Sequence, residues 1–113
     1  MHEMSIAQSI LDIILQESGN HQVSRVLSVA LKVGELSAVE TESLRFCFEL
    51  LTKGTPAEGA RLDIERVQVT CRCQDCGSNF TVQELVFSCP SCQGVRVEML
   101  SGRELSVESF EGE

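Results

Sequence analysis

The sequence predicts an α+β protein in which a zinc-ribbon-like four-cysteine lobe is inserted between two strands of a two-helix core. Three observations carry that expectation. Met4, Ala7, Ile10, Leu11, Ile14 and Leu15 recur at helical spacing. Val23 to Val33 is a β-branched, apolar, alternating run. Two Cys-x-x-Cys pairs, Cys73 with Cys76 and Cys89 with Cys92, are separated by twelve residues.

Taken in order, the first helix spans Met4 to Glu17 and stops at Gly19-Asn20. His21 follows in a loop, where a solvated role is the default. The run Val23–Val33 reads as a central strand with Leu27, Val29, Leu31 and Val33 on one face, ended by Gly34. Ser37-Ala38-Val39-Glu40 has the spacing of a capping box, which starts a second helix with Val39, Leu44, Cys47, Phe48 and Leu51 on its buried stripe. That helix stops at Gly54 before Pro56. Core packing is the expected role of Cys47.

Arg61 to Thr70 reads as one strand whose apolar parity changes between Ile64 and Val67, the mark of a bulge or twist. Within the lobe, Phe80, Val82, Leu85 and Phe87 fit a short hairpin. Val95-Arg96-Val97 opens another strand, Ser101-Gly102 signals a turn, and Leu105, Val107 and Phe110 form a last strand long enough to rejoin the first sheet.

The paired spacing of Cys73, Cys76, Cys89 and Cys92 is that of a tetrahedral zinc site held from two opposing turns. Gly77 and Gly94 stand where tight turns aim N–H groups at sulfur and favour a residue free to take positive φ. One such pair could be a redox couple, and two could be disulfides. No secretory-signal pattern is present, so a reducing, cytoplasmic setting is expected, which favours zinc. Four protein ligands leave no open coordination position, so the metal's role is structural and no catalytic residue is assigned. Cys71 is a surplus thiol that could exchange with Cys73, be oxidised or sit free at the lobe's edge.

Composition narrows the classes further. The chain has 113 residues, five Phe, no Trp and no Tyr, so its core is mostly aliphatic. Its net charge is −8, and between Cys73 and Cys92 there is no Lys or Arg to neutralise phosphates, which argues against a nucleic-acid ribbon. The apolar runs are too short and too charge-broken for a membrane span.

Met1-His2-Glu3 offers a different chemistry. The Met1 α-amine, the His2 amide nitrogen and the His2 imidazole Nδ1 can close fused five- and six-membered rings around one ion, with Glu3 near enough for a fourth donor. Nitrogen donors in one plane suit Ni(II) or Cu(II) better than zinc. A large second residue is expected to keep Met1 and its amine in place. On these residues alone the signal is weak, and an ordinary exposed N-terminal His is the default reading.

Met1-His2-Glu3-Met4-Ser5, Val33-Gly34-Glu35-Leu36-Ser37 continuing through Glu40, Leu44, Phe46 and Phe48, the two Cys pairs, and Ser101-Gly102-Arg103-Glu104-Leu105 together resemble the hydrogenase nickel-incorporation family HypA/HybF. The resemblance runs over essentially the whole chain. It implies a nickel metallochaperone that delivers transported Ni(II) for NiFe hydrogenase maturation, with no enzyme activity. It also implies a small mixed β-sheet packed with two helices, and a protruding zinc domain. By position, His2, Met1 and Glu3 would be the nickel residues, and Cys73, Cys76, Cys89 and Cys92 the ligands of structural Zn(II). Residues 1–69 plus 103–113 would then be the nickel-binding domain and 70–102 the zinc-binding domain. The implied partners are a HypB-type GTPase, the hydrogenase large subunit and, for members that also serve urease, urease maturation proteins. The competing reading is a zinc-stabilised adaptor without a physiological nickel site.

Overall fold

The structure, a computed structural model, describes residues 2–113. Along the chain run α1 (Glu3–Asn20), β1 (Val26–Gly34), a short 3-10 turn (Glu35–Ser37), α2 (Thr41–Thr52), β2 (Arg61–Val67), β3 (Thr70–Cys73), β4 (Asn79–Thr81), β5 (Val97–Ser101) and β6 (Leu105–Gly112). They form two three-stranded sheets, ordered β2-β1-β6 and β4-β3-β5. The chain divides into two compact units: residues up to Lys32 with Ala38–Glu65 and Ser106–Glu113, and Val33–Ser37 with Arg66–Leu105.

In the first unit α1 packs against α2. The face that α1 buries is Glu3, Ala7, Ile10, Leu11, Ile14 and Ser18, so its helical stripe begins at Glu3. Met4, expected on the stripe, is 46% exposed. The burial of each large aliphatic side chain contributes about 1.5–3 kcal/mol. α2 buries Leu44, Phe48 and Thr52, with Val39 buried just ahead of it. Cys47 is only half-buried, which corrects its expected place in the core.

The capping box of Ser37 and Glu40 does not form. Ala38 takes a left-handed φ of 62°, and this turns the chain away before the helix starts. The Ser37 hydroxyl donates instead to the Gly34 carbonyl. Glu40 becomes the N-cap, and its carboxylate accepts from the Glu42 and Ser43 N–H groups at 3.2 and 2.8 Å.

β1 is the central strand, as its composition predicts. Val29, Leu31 and Val33 are buried, whereas Leu27 is 43% exposed. It lines an open hollow of about 790 Å³ with Ile13, Ile14 and Val107, beside the last turns of α1. β6 returns antiparallel to β1: the Arg25 N–H donates to the Glu113 carbonyl at one end, and the Gly34 N–H to that of Glu104 at the other.

The single strand expected from Arg61 to Thr70 is two strands in two sheets. The parity change marks the place where the chain leaves one sheet, and Val69 in the break is buried in the core of the second unit. There β3 pairs antiparallel with β4, Cys71 opposite Phe80, and with β5, Cys71 opposite Met99. The expected internal hairpin shrinks to one bridge, Gln83 with Val86, because β3 takes the Asn79–Thr81 segment as its own partner. Glu84 and Leu85 close that bridge with φ of 51° and 62°.

Candidate metal centre

Two turns of the same design build the cysteine cluster. In the first, the Cys73 N–H donates to the Ser78 carbonyl (2.8 Å) and the Gly77 N–H to the Cys73 carbonyl (2.9 Å). The second repeats both bonds, from the Cys89 N–H to the Gly94 carbonyl (2.8 Å) and from the Gln93 N–H to the Cys89 carbonyl (2.8 Å). Each turn therefore exposes its second cysteine and anchors its first, with Cys73 and Cys89 each 1% exposed.

The residue after each pair takes the left-handed conformation. It is Gly77 (φ 80°) in the first turn and Gln93 (φ 62°) in the second. Gly94, expected to supply the positive φ, serves another need. A Cβ there would lie 2.9 Å from Asp75 Oδ2 and 3.2 Å from Cys92 Sγ. Its N–H points at Cys92 Sγ, 3.4 Å away. Asp75 also meets Arg96 at 3.5 Å, an exposed pair of little energetic weight.

The four Sγ atoms all lie within 4.8 Å of one another, with Cys73 to Cys92 at 3.6 Å and Cys76 to Cys89 at 3.5 Å. A tetrahedral Zn–S₄ centre with bonds of ~2.3 Å has edges of ~3.8 Å, whereas a disulfide requires ~2.05 Å. All six cysteines are free thiols. The spacing and the donor set thus fit a structural Zn(II) held by Cys73, Cys76, Cys89 and Cys92. The two exposed sulfurs, Cys76 and Cys92, are shifted in opposite directions. The Ser78 hydroxyl and N–H draw the Cys76 thiol down to about 6. The Gly94 N–H also draws on Cys92, yet the neighbouring Cys73 thiol, burial and the other two sulfurs together push it up to about 12. Adjacent thiolates repel one another, and a divalent cation removes that penalty.

Cys71 is not part of the cluster. It is fully buried between Val69 and Val82, among Phe80, Phe87, Val97 and Met99, and burial pushes its thiol up from the ordinary 9.0. The free-edge reading of this residue is thereby corrected: Cys71 packs the core.

The N-terminal residues are placed differently. The Met1 amine lies outside the described residues. His2 is exposed at the N-cap of α1, its carbonyl accepting the Ile6 N–H at 2.9 Å and its imidazole making no cap hydrogen bond. Glu3 is buried at 7% exposure, and its Oε2 accepts the Glu40 N–H at 3.0 Å. Among the described residues the four cysteines are the only cluster of three or more His, Cys, Asp or Glu side chains able to share an ion. His21 is exposed and sits 3.5 Å from Glu17 one helical turn back. Sequence reasoning overlooked the Glu3 contact, although its signal was present, since Glu3 is in helical phase with Ala7, Ile10 and Ile14.

The chain matches, over residues 1–112, the family described as hydrogenase/urease nickel incorporation, metallochaperone, HypA. It is 46% identical over 110 residues to the hydrogenase maturation factor HypA of Chlorobaculum parvum, covering 97% of both chains. The HypA of Geotalea uraniireducens is 46% identical over 113 residues, covering all of both. The structure is similar to the solution structure of the Ni metallochaperone HypA from Helicobacter pylori, with a TM-score of 0.67 at 25% identity over 99% of this chain and 97% of the other.

Proposed function

The chain belongs to the HypA family of nickel metallochaperones for hydrogenase maturation, and we propose that it carries Ni(II) at its N-terminus, apart from its cysteines. The nickel donors are the Met1 amine, the His2 amide and the His2 Nδ1, with Glu3 adjacent. They belong to the compact unit that contains α1 and α2, while the four clustered cysteines belong to the other. The observation that carries this reading is the exposed His2 imidazole at the head of α1, where the main-chain amide also lies outside the helical hydrogen-bond ladder.

The two sites suit opposite tasks. Four thiolates bind a structural zinc with about 10–16 kcal/mol, which retains the ion. A terminal set of nitrogen donors in water can take up a planar Ni(II) and surrender it. The protein is on this reading a carrier without turnover, working in the cytoplasm. Its partners are a HypB-type GTPase and the hydrogenase large subunit, with urease maturation proteins where urease is also served. No helix among the described residues is long and apolar enough to cross a membrane.

The test is a nickel titration of untagged protein, wild type against His2→Ala, with bound zinc recorded in both. Wild type is expected to bind Ni(II), His2→Ala to lose it at least ten-fold, and both to keep about one zinc per chain. Equal nickel binding by the two proteins would place the ion elsewhere, and absence of binding in both would favour the zinc-stabilised adaptor. A short N-terminal extension, which converts the Met1 amine to an amide, is expected to weaken nickel binding as well.

A further inference from the structure

Glu3 carries a carboxylate on the core face of α1, in phase with Ala7, Ile10 and Ile14, and 7% exposed. A buried carboxylate requires a partner. Its Oε2 accepts the Glu40 N–H at 3.0 Å, across 37 residues of sequence. Glu40 is itself the N-cap of α2 and binds the next N–H groups, those of Glu42 and Ser43. Three N–H groups at the start of α2 are thus satisfied by two carboxylates, one of them donated by the other helix. In a self-contained capping box the N3 side chain of the same helix returns to the N-cap N–H. Here Glu3 of α1 does that work.

Resting on the reading that nickel binds at residues 1–3, we propose that the Glu3 carboxylate is a positioning group and not a nickel donor. It fixes the head of α1 to the head of α2, so that the peptide carrying the His2 donors is held against a rigid neighbour. The geometry supports this in two ways. Glu3 is buried with its Oε2 held by the Glu40 N–H while His2 is exposed, so an ion that drew Oε2 to itself would break the Glu40 contact. Breaking it would forfeit the bond from the Glu40 N–H to Glu3 at the start of α2, a loss the fold resists. The N-terminal +0.5 partial charge of α2 further favours a carboxylate in that place.

The experiment uses full-length protein with its native N-terminus and its zinc. Amide hydrogen exchange is measured at Glu40, Glu42 and Ser43, with and without added Ni(II), alongside nickel titrations of wild type, Glu3→Gln, Glu3→Ala and the His2→Ala control. Gln keeps an oxygen acceptor of the same reach but is a poor metal donor. Glu3→Gln is therefore expected to hold nickel affinity and Glu40 protection within about three-fold of wild type. Glu3→Ala is expected to speed Glu40 exchange about ten-fold or more, even without nickel, as befits loss of a charge-assisted bond, and to weaken nickel binding several-fold.

The proposal is overturned if nickel strips protection from the wild-type Glu40 amide, which would show the carboxylate moving to the metal. It is also overturned if Glu3→Gln loses nickel as fully as Glu3→Ala, or if Glu3→Ala binds nickel like wild type. Nickel binding that survives His2→Ala sinks the N-terminal site, and the coupling with it. The Glu40 exchange of nickel-free Glu3→Ala then still reports on the bridge between helices, so the two failures are told apart.

Discussion

Cys71 and Cys73 are two positions apart on one strand and are both buried, yet only Cys73 joins the four-cysteine cluster. Cys73 reaches the cluster at the strand's end, where the chain turns into Asp75 and Cys76. Cys71 is enclosed by Val69, Val82 and Phe80, and its burial pushes the thiol above its ordinary 9.0. A group held protonated by the fold stabilises it fully below the unfolded pKa and loses that contribution as pH rises. Stability is thus expected to fall above about pH 9 as unfolded Cys71 ionises. Cys71→Ala should retain about one zinc per chain and show a flatter alkaline limb in denaturant midpoints. An unchanged limb would mean that Cys71 is not the group being protected.

At the scale of elements, the second metal turn contains a cost that the first avoids. Gly77 takes φ 80° freely, whereas Gln93 takes φ 62° with a Cβ. A non-glycine residue there is strained by about 1–2 kcal/mol, and glycine's looser unfolded chain gives back part of the gain. Gln93→Gly is expected to stabilise the zinc-bound lobe by about 0.5–1 kcal/mol, read as greater resistance to a competing chelator. Destabilisation would show that the Gln93 side chain supplies more than its strain, for instance through its 3.4 Å bond to the Pro90 carbonyl.

For the whole molecule, the two compact units depend on different forces. The first holds Ala7, Ile10, Leu11, Ile14, Val29, Leu31, Leu44 and Phe48 in a mostly aliphatic core. The second has a small core around Val69, Cys71 and Val82, with the four cysteines for a staple, and a core of that size rarely suffices without metal. Stripping zinc with a strong chelator is expected to remove amide-exchange protection from β3, β4 and β5 while α1, α2 and β1 retain theirs. Parallel loss in α1 would refute that independence. Acid should release zinc for the same reason, since each thiolate must take a proton as the metal leaves.

Features whose partners are close along the chain were legible in the order of residues. The Cys-x-x-Cys turns bring donors together within a few residues, and the periodicities of α1 and β1 report which face must leave water; these were legible, as were the return of β6 and the family resemblance. Contacts between distant segments were set only when the chain folded. Glu40 replaced Ser37 as the N-cap of α2 with Glu3 accepting its N–H, Cys71 went to the core, Leu27 was left half-exposed beside α1, and the run from Arg61 to Thr70 was divided between two sheets. In each case the local pattern allowed more than one outcome, and the choice fell to whichever distant group could satisfy an N–H or cover an apolar side chain once the chain had closed on itself.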